Sequence, residues 1–127
     1  MINITLLLKR KPGTSKEDFR RGYEHHATLA MKHLGHLYAR YLRNYTIAQG
    51  AHAGSTSDRA DPWAETMVDA ITTISFRSRE DLAEFQRIAQ QPGIFAEFIA
   101  DEELWLDRTQ KIVFTTEEVA SSPRIDV

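Results

Sequence analysis

The hydrophobic period of this chain switches between two values, and the order of the switches constrains the fold more than any other feature. Residues 2 to 9 alternate in part, with Ile2, Ile4, Leu6 and Leu8 set against Asn3, Thr5, Leu7 and Lys9. This is the period of a strand with one face fully covered and the other partly covered. Pro12-Gly13 stops it. Ser15 with Asp18 three residues on resembles a capping box with Asp in place of Glu, so a first helix is expected from near Ser15 to about Leu34, ended by Gly35. From His36 to about Ile47 the pattern returns to strand, with Leu37, Ala39, Tyr41, Arg43 and Tyr45 on one side and Tyr38, Arg40, Leu42 and Asn44 on the other.

Ala48 to Thr66 has few large apolar residues and is too long for a hairpin turn, so it reads as a long loop, a candidate lid. Trp63 is its only large apolar group, either a staple to the domain surface or a ligand contact. Val68 to Phe76 alternates as a third strand, and Ser78 with Asp81 marks a second helix start. Leu82, Phe85, Ile88 and Ala89 keep helical spacing until Pro92-Gly93. A short helix is expected over 94–103, a fourth strand over 110–119, and a polar tail over 121–127. The order strand, helix, strand, strand, helix, strand predicts one α+β domain over 1–120, a ferredoxin-like βαββαβ antiparallel sheet with its main helices on one face. Apolar and aromatic residues on both sides of the strands leave the other face in need of cover. A second copy would supply it, giving a homodimer built as a dimeric α+β barrel with a cleft between sheet and helices.

Composition removes several classes of function. The chain has 127 residues, is 42% hydrophobic and 27% charged, and carries a formal charge of -2. No basic field is available for nucleic acid, and the Lys9-Arg10-Lys11 run is too short to make one. The apolar start is broken by Lys9 far short of a membrane span and has no charged segment before it, so a cytoplasmic protein is expected. With no cysteine, disulfides and thiolate metal sites are excluded.

On the first helix, Phe19, Tyr23, His26, Ala27, Ala30, His33 and Leu34 form one face. Phe19 and His26 are seven residues apart and differ by only about 20° around the axis, so the helix aims an imidazole at its own sheet. Such a histidine is either a buried hydrogen-bonded residue or a group facing a pocket. Tyr23 and Tyr41 are candidate ligand-binding residues, able to donate to a ligand carbonyl, although a tyrosine on such a face also serves as packing. The five histidines raise the question of a metal. Gly35 takes His36 off the helix that carries His33, His25 projects about 100° from His26 toward solvent, and no Asp or Glu completes a ligand set, so no metal is expected. His33 sits near the helix end, and His52 has no assignable role. The chain has no glycine-rich dinucleotide turn, phosphate loop or nucleophile elbow, so no cofactor is expected.

The ordered set Lys9-Arg10-Lys11-Pro12-Gly13, Glu17-Asp18-Phe19, His26-Ala27-Thr28-Leu29, a Tyr-bearing strand, Asp69 opening a strand that ends in Phe76, and Asp101-Glu102 resembles the EthD family. The likeness spans roughly residues 4 to 115. It implies a dimeric α+β barrel of the kind found beside bacterial ether-degradation genes and in fungal enzymes that dehydrate or decarboxylate aromatic polyketides. Thr28 stands where the family usually has proline, and Ala70 where it often has glycine. The family's recurrent polar residues map onto His26, Asp69 and Asp101 as candidate catalytic groups. Asp69 also reads as a turn or edge residue, and Asp101 as a helix-end carboxylate or a cap for the turn before Trp105. Two functions are therefore expected. One is a cofactor-independent lyase or oxidoreductase in which His26, held by Asp69 or Asp101, moves a proton on a small apolar or aromatic substrate. The other is a non-catalytic ligand-binding protein or an accessory to a partner oxygenase.

Overall fold

A computed structural model describes residues 1–49 and 66–123. Residues 50–65, which hold most of the expected loop together with Trp63 and His52, and residues 124–127 lie outside the described residues. The elements run β1 (Ile2–Leu8), α1 (Lys16–Leu34), β2 (Arg40–Tyr45), β3 (Ala70–Phe76), α2 (Arg79–Ala89), α3 (Pro92–Glu102) and β4 (Ile112–Glu117). Both serine caps form as the sequence spacing predicts. Ser15 Oγ accepts from the Asp18 backbone N–H at 3.0 Å and Ser78 Oγ from that of Asp81 at 3.1 Å.

Several boundaries differ from the sequence pattern, β3 starting at Ala70 and not Val68 among them, and three have a local reason. Gly35–Leu37 extend α1 by a 3-10 turn, so pairing of β2 begins only at Arg40. The short helix begins at Pro92, not Ile94, because a first-turn residue needs no N–H partner and proline's fixed φ suits that position. Asp107 caps a second 3-10 turn, Arg108–Gln110, which shortens the last strand to Ile112–Glu117.

The sheet order is β2-β3-β1-β4 and every pairing is antiparallel, giving the α+β fold read from the element order. Strand alternation sends Ile4, Leu6 and Leu8 of β1, Ile74 and Phe76 of β3, and Tyr41 and Tyr45 of β2 toward the helices. They divide into two adjoining cores. One gathers Ile4, Ile74 and Phe76 with Leu34, Tyr38 and the apolar face of α2. The other packs Leu8 and Ala70 against Phe19, Tyr23, Trp105 and Leu106.

On the helix-free face the register aligns Ile112, Leu7 and Ile71 in one row and Phe114, Thr5, Thr73 and Leu42 in the next. Leu42, Ile71, Ile112 and Phe114 are exposed there, the last at 49%. Among the described residues, no helix is long and apolar enough to cross a membrane.

Candidate active site

Between α1, α3 and the sheet lies a cavity of about 290 Å³. Its walls are predominantly apolar, including Leu6, Ile74, Phe95 and Phe98, and His26, Tyr23 and Tyr41 open onto it. That volume is at the lower end for small-molecule sites, enough for about one ring and a short substituent.

His26 reaches from α1 to α3, where its Nδ1 lies 2.8 Å from Asp101 Oδ2. The same carboxylate accepts a hydrogen bond from Trp105 Nε1–H, one helical turn on, at 3.1 Å. His25 Nδ1 lies 2.9 Å from the other oxygen, Oδ1. Burial alone would raise the Asp101 pKa, but the bonds from Trp105, His25 and His26 outweigh it and hold the carboxyl below its ordinary value. An ionised carboxylate only accepts, so Nδ1 of both histidines carries the proton.

Burial lowers the His26 pKa, offset in part by Asp101 and by the nearby charge of Glu102. Neutral His26 therefore has its lone pair on Nε2, the nitrogen that Asp101 leaves free. The ring is fixed by its neighbours, with centroids 5.3 Å from Phe98 and 5.4 Å from Trp105. Chemically, an imidazole oriented by a carboxylate in a largely apolar pocket can act as a general base.

Deeper in the cavity, Tyr41 donates to Tyr23 Oη at 3.3 Å, and Tyr23 Oη lies 2.6 Å from Thr72 Oγ1. Burial pushes both tyrosine pKa values up, so both remain protonated donors. Two bonds among three hydroxyls use two of the three protons. One remains for another acceptor.

Asp69 lies elsewhere. It precedes β3 and does not line the cavity; its Oδ2 accepts the Arg10 backbone N–H at 2.8 Å and faces Lys9 Nζ at 3.5 Å. The expectation that Asp69 or Asp101 holds His26 therefore resolves to Asp101. The partner of Asp69 is the end of β1, because β1 and β3 pair in register and bring Leu8 opposite Ala70.

The structure adds residues that the sequence reading passed over. Glu102, buried at the end of α3, lines the cavity and pairs with Lys111 Nζ at 2.9 Å. Trp105 orients Asp101, a role signalled by their i, i+4 spacing. His25 is exposed, as expected, yet still bonds Asp101. His33 pairs with Glu97 at 3.0 Å, across from α1 to α3. Toward β2, Glu24 accepts from Arg43 Nε and Nη2, each at 2.7 Å, and from the Tyr45 hydroxyl. Arg43 first, then Tyr45, overcomes the cost of burial and lowers the Glu24 pKa to about 2. This cluster ties α1 to β2. Among the described residues, no group of three histidine or carboxylate side chains is placed to hold a metal.

Comparison with known proteins supplies a family and a fold. The family model described as the EthD domain matches residues 11–109. A crystal structure of an Arabidopsis thaliana protein superposes with a TM-score of 0.61 at 18% identity, covering 97% of this chain and 100% of that one. An ethyl tert-butyl ether degradation (EthD) family protein from Bacillus halodurans gives 0.55 at 18%, covering 94% and 100%. A dimeric protein of unknown function and ferredoxin-like fold from Bacteroides fragilis gives 0.54 at 9%, covering 92% and 95%. No curated protein matches the chain in sequence.

Proposed function

This chain belongs to the EthD family, and from that premise we propose that it binds a small apolar or aromatic molecule between helix and sheet and moves a proton on it with His26. The observation that carries this reading is the Asp101–His26 pair at 2.8 Å, with His26 lining an apolar cavity. Its Nε2 takes a proton from the ligand, and the imidazolium so formed is stabilised by Asp101, whose other donors keep it ionised. With Thr72 donating to Tyr23, the Tyr23 hydroxyl, which lines the cavity, keeps its proton for a ligand oxygen on which negative charge develops. Elimination, decarboxylation and cofactor-free oxidation all begin or end with such a transfer, and ether degradation is the setting that the Bacillus halodurans relative suggests.

The reading is tested by hydrogen–deuterium exchange at an acidic C–H. Small aryl ketones and phenols are incubated in D2O with the wild-type chain and with His26→Ala. The variant is expected to lose about 10²–10⁴-fold in exchange rate while keeping its fold. Equal exchange in both proteins rejects the acid/base role. Retained binding with no exchange in the wild type supports instead a ligand-binding or accessory protein.

We also propose that two copies pack sheet to sheet through the Phe114 and Ile112 rows. The exposed apolar residues of that face support this, as does the dimeric Bacteroides fragilis relative. A monomer mass by sedimentation equilibrium would remove the proposal.

A further inference from the structure

We propose that the molecule taken by this cavity carries a carboxylate, held at the rim by Arg108, with its apolar or aromatic body inside; this rests on the reading of the cavity as a ligand site. Charged groups are few on the cavity wall. Besides His26 they are Glu102, Lys111 and Arg108. Glu102 and Lys111 are paired at 2.9 Å, so each answers the other. Asp101 is not part of the lining, and its oxygens are taken by His25, His26 and Trp105. Arg108 is left over. Its side chain is exposed while it lines the cavity, which puts it at the opening.

The nearest carboxylate in sequence is engaged by a different residue. Asp107 Oδ1 accepts from the backbone N–H of Thr109 at 3.0 Å and from its hydroxyl. Among the described residues no carboxylate pairs with Arg108. The turn that carries it is nevertheless anchored, because Asp107 N–H donates to Lys9 C=O at 2.9 Å and Gln110 N–H to Asp107 C=O at 3.1 Å. An anchored turn therefore presents an uncommitted guanidinium at the mouth of an apolar cavity. Its planar fork matches a carboxylate in two parallel bonds, a fit that neither an ester nor an alcohol offers. A ligand bound this way keeps its charge near water and puts its ring against Phe98.

The test uses the full chain and three probes of matched shape, phenylacetate, methyl phenylacetate and 2-phenylethanol, titrated by NMR at low and at high salt. Phenylacetate is expected to bind about tenfold tighter than its ester at low salt, the scale of one charge-assisted pair, and to lose that advantage at high salt. Arg108→Gln should bring the acid to the ester's affinity without changing the ester, and Arg108→Lys should keep part of the difference. Equal binding of acid and ester, or an advantage that survives Arg108→Gln, overturns the carboxylate proposal and leaves the cavity as a neutral ligand site. If none of the three binds at saturating concentration, the cavity reading itself falls, and this inference with it.

Discussion

Asp69 and Asp101 are both buried carboxylates, 4% and 8% exposed, but Asp101 takes three hydrogen bonds while Asp69 takes one at Oδ2, its Oδ1 having no hydrogen-bond partner among the described residues. At the head of β3, Asp69 receives the Arg10 backbone N–H and lies near the Lys9 and Arg10 side chains. At the end of α3, Asp101 receives two imidazoles and an indole. The Arg10 amide ties Asp69 to the end of β1, so this carboxylate acts as a clasp between strands. Asp101 instead holds His26, an imidazole whose pKa burial lowers from its ordinary value. The partners of a buried carboxylate, more than its burial, decide whether it can only fasten the fold or can also support a proton transfer.

The difference is open to direct attack. Asp101→Ala should produce the largest effect, because it leaves the Trp105 and His26 N–H groups without an acceptor in a buried setting. A loss of about 2–6 kcal/mol in urea unfolding is expected, at ~1–3 for each orphaned donor. The His26 titration seen by NMR should move down as well, since Asp101 raises it in the native chain. An unchanged His26 pKa would mean that the pair does not act as a unit.

Asp69→Ala should cost about 1–3 kcal/mol for the orphaned Arg10 amide, with no movement of His26. Any shift there would show that the two regions are coupled. Gly22→Ala probes the packing between α1 and Trp105, since an added Cβ would lie 2.6 Å from both Trp105 Cβ and Cγ. Alanine favours the helix by about 1 kcal/mol, while overpacking costs about 1–3, so the balance should be a loss of up to ~2 kcal/mol. A stabilised variant would show that Trp105 yields without cost.

The smallest effect expected is on pH dependence. The folded His26 pKa lies below its ordinary value of 6.5, so the unfolded chain binds more protons between the two values. Its contribution to stability is full above 6.5 and is lost as pH falls toward the folded value. Glu24, lowered from 4.5 to about 2, acts in the same direction in the more acid window between those values. Its effect is muted because its side chain is 44% exposed. Urea midpoints across both windows should fall with falling pH, and His26→Gln should flatten the upper one alone.

Local signals carried much of this structure. Ser15 with Asp18 and Ser78 with Asp81 set the helix starts, two-residue alternation set the strands, and the stripe from Phe19 to Leu34 turned His26 inward, because each depends on neighbours within a turn or a pleat. The EthD likeness, read over roughly residues 4 to 115, takes in the stretch 11–109 that the family model matches. What neighbours in sequence could not settle was which aspartate meets His26. Asp101 lies 75 residues away, and only the packing of α3 on α1 brings it within 2.8 Å, while strand register draws Asp69 to Arg10. The same holds for the Glu102–Lys111 pair and for Arg108, with which no carboxylate among the described residues pairs. Their partners depend on where a 3-10 turn sets the start of β4, and that is decided by tertiary hydrogen bonds such as Asp107 to Lys9.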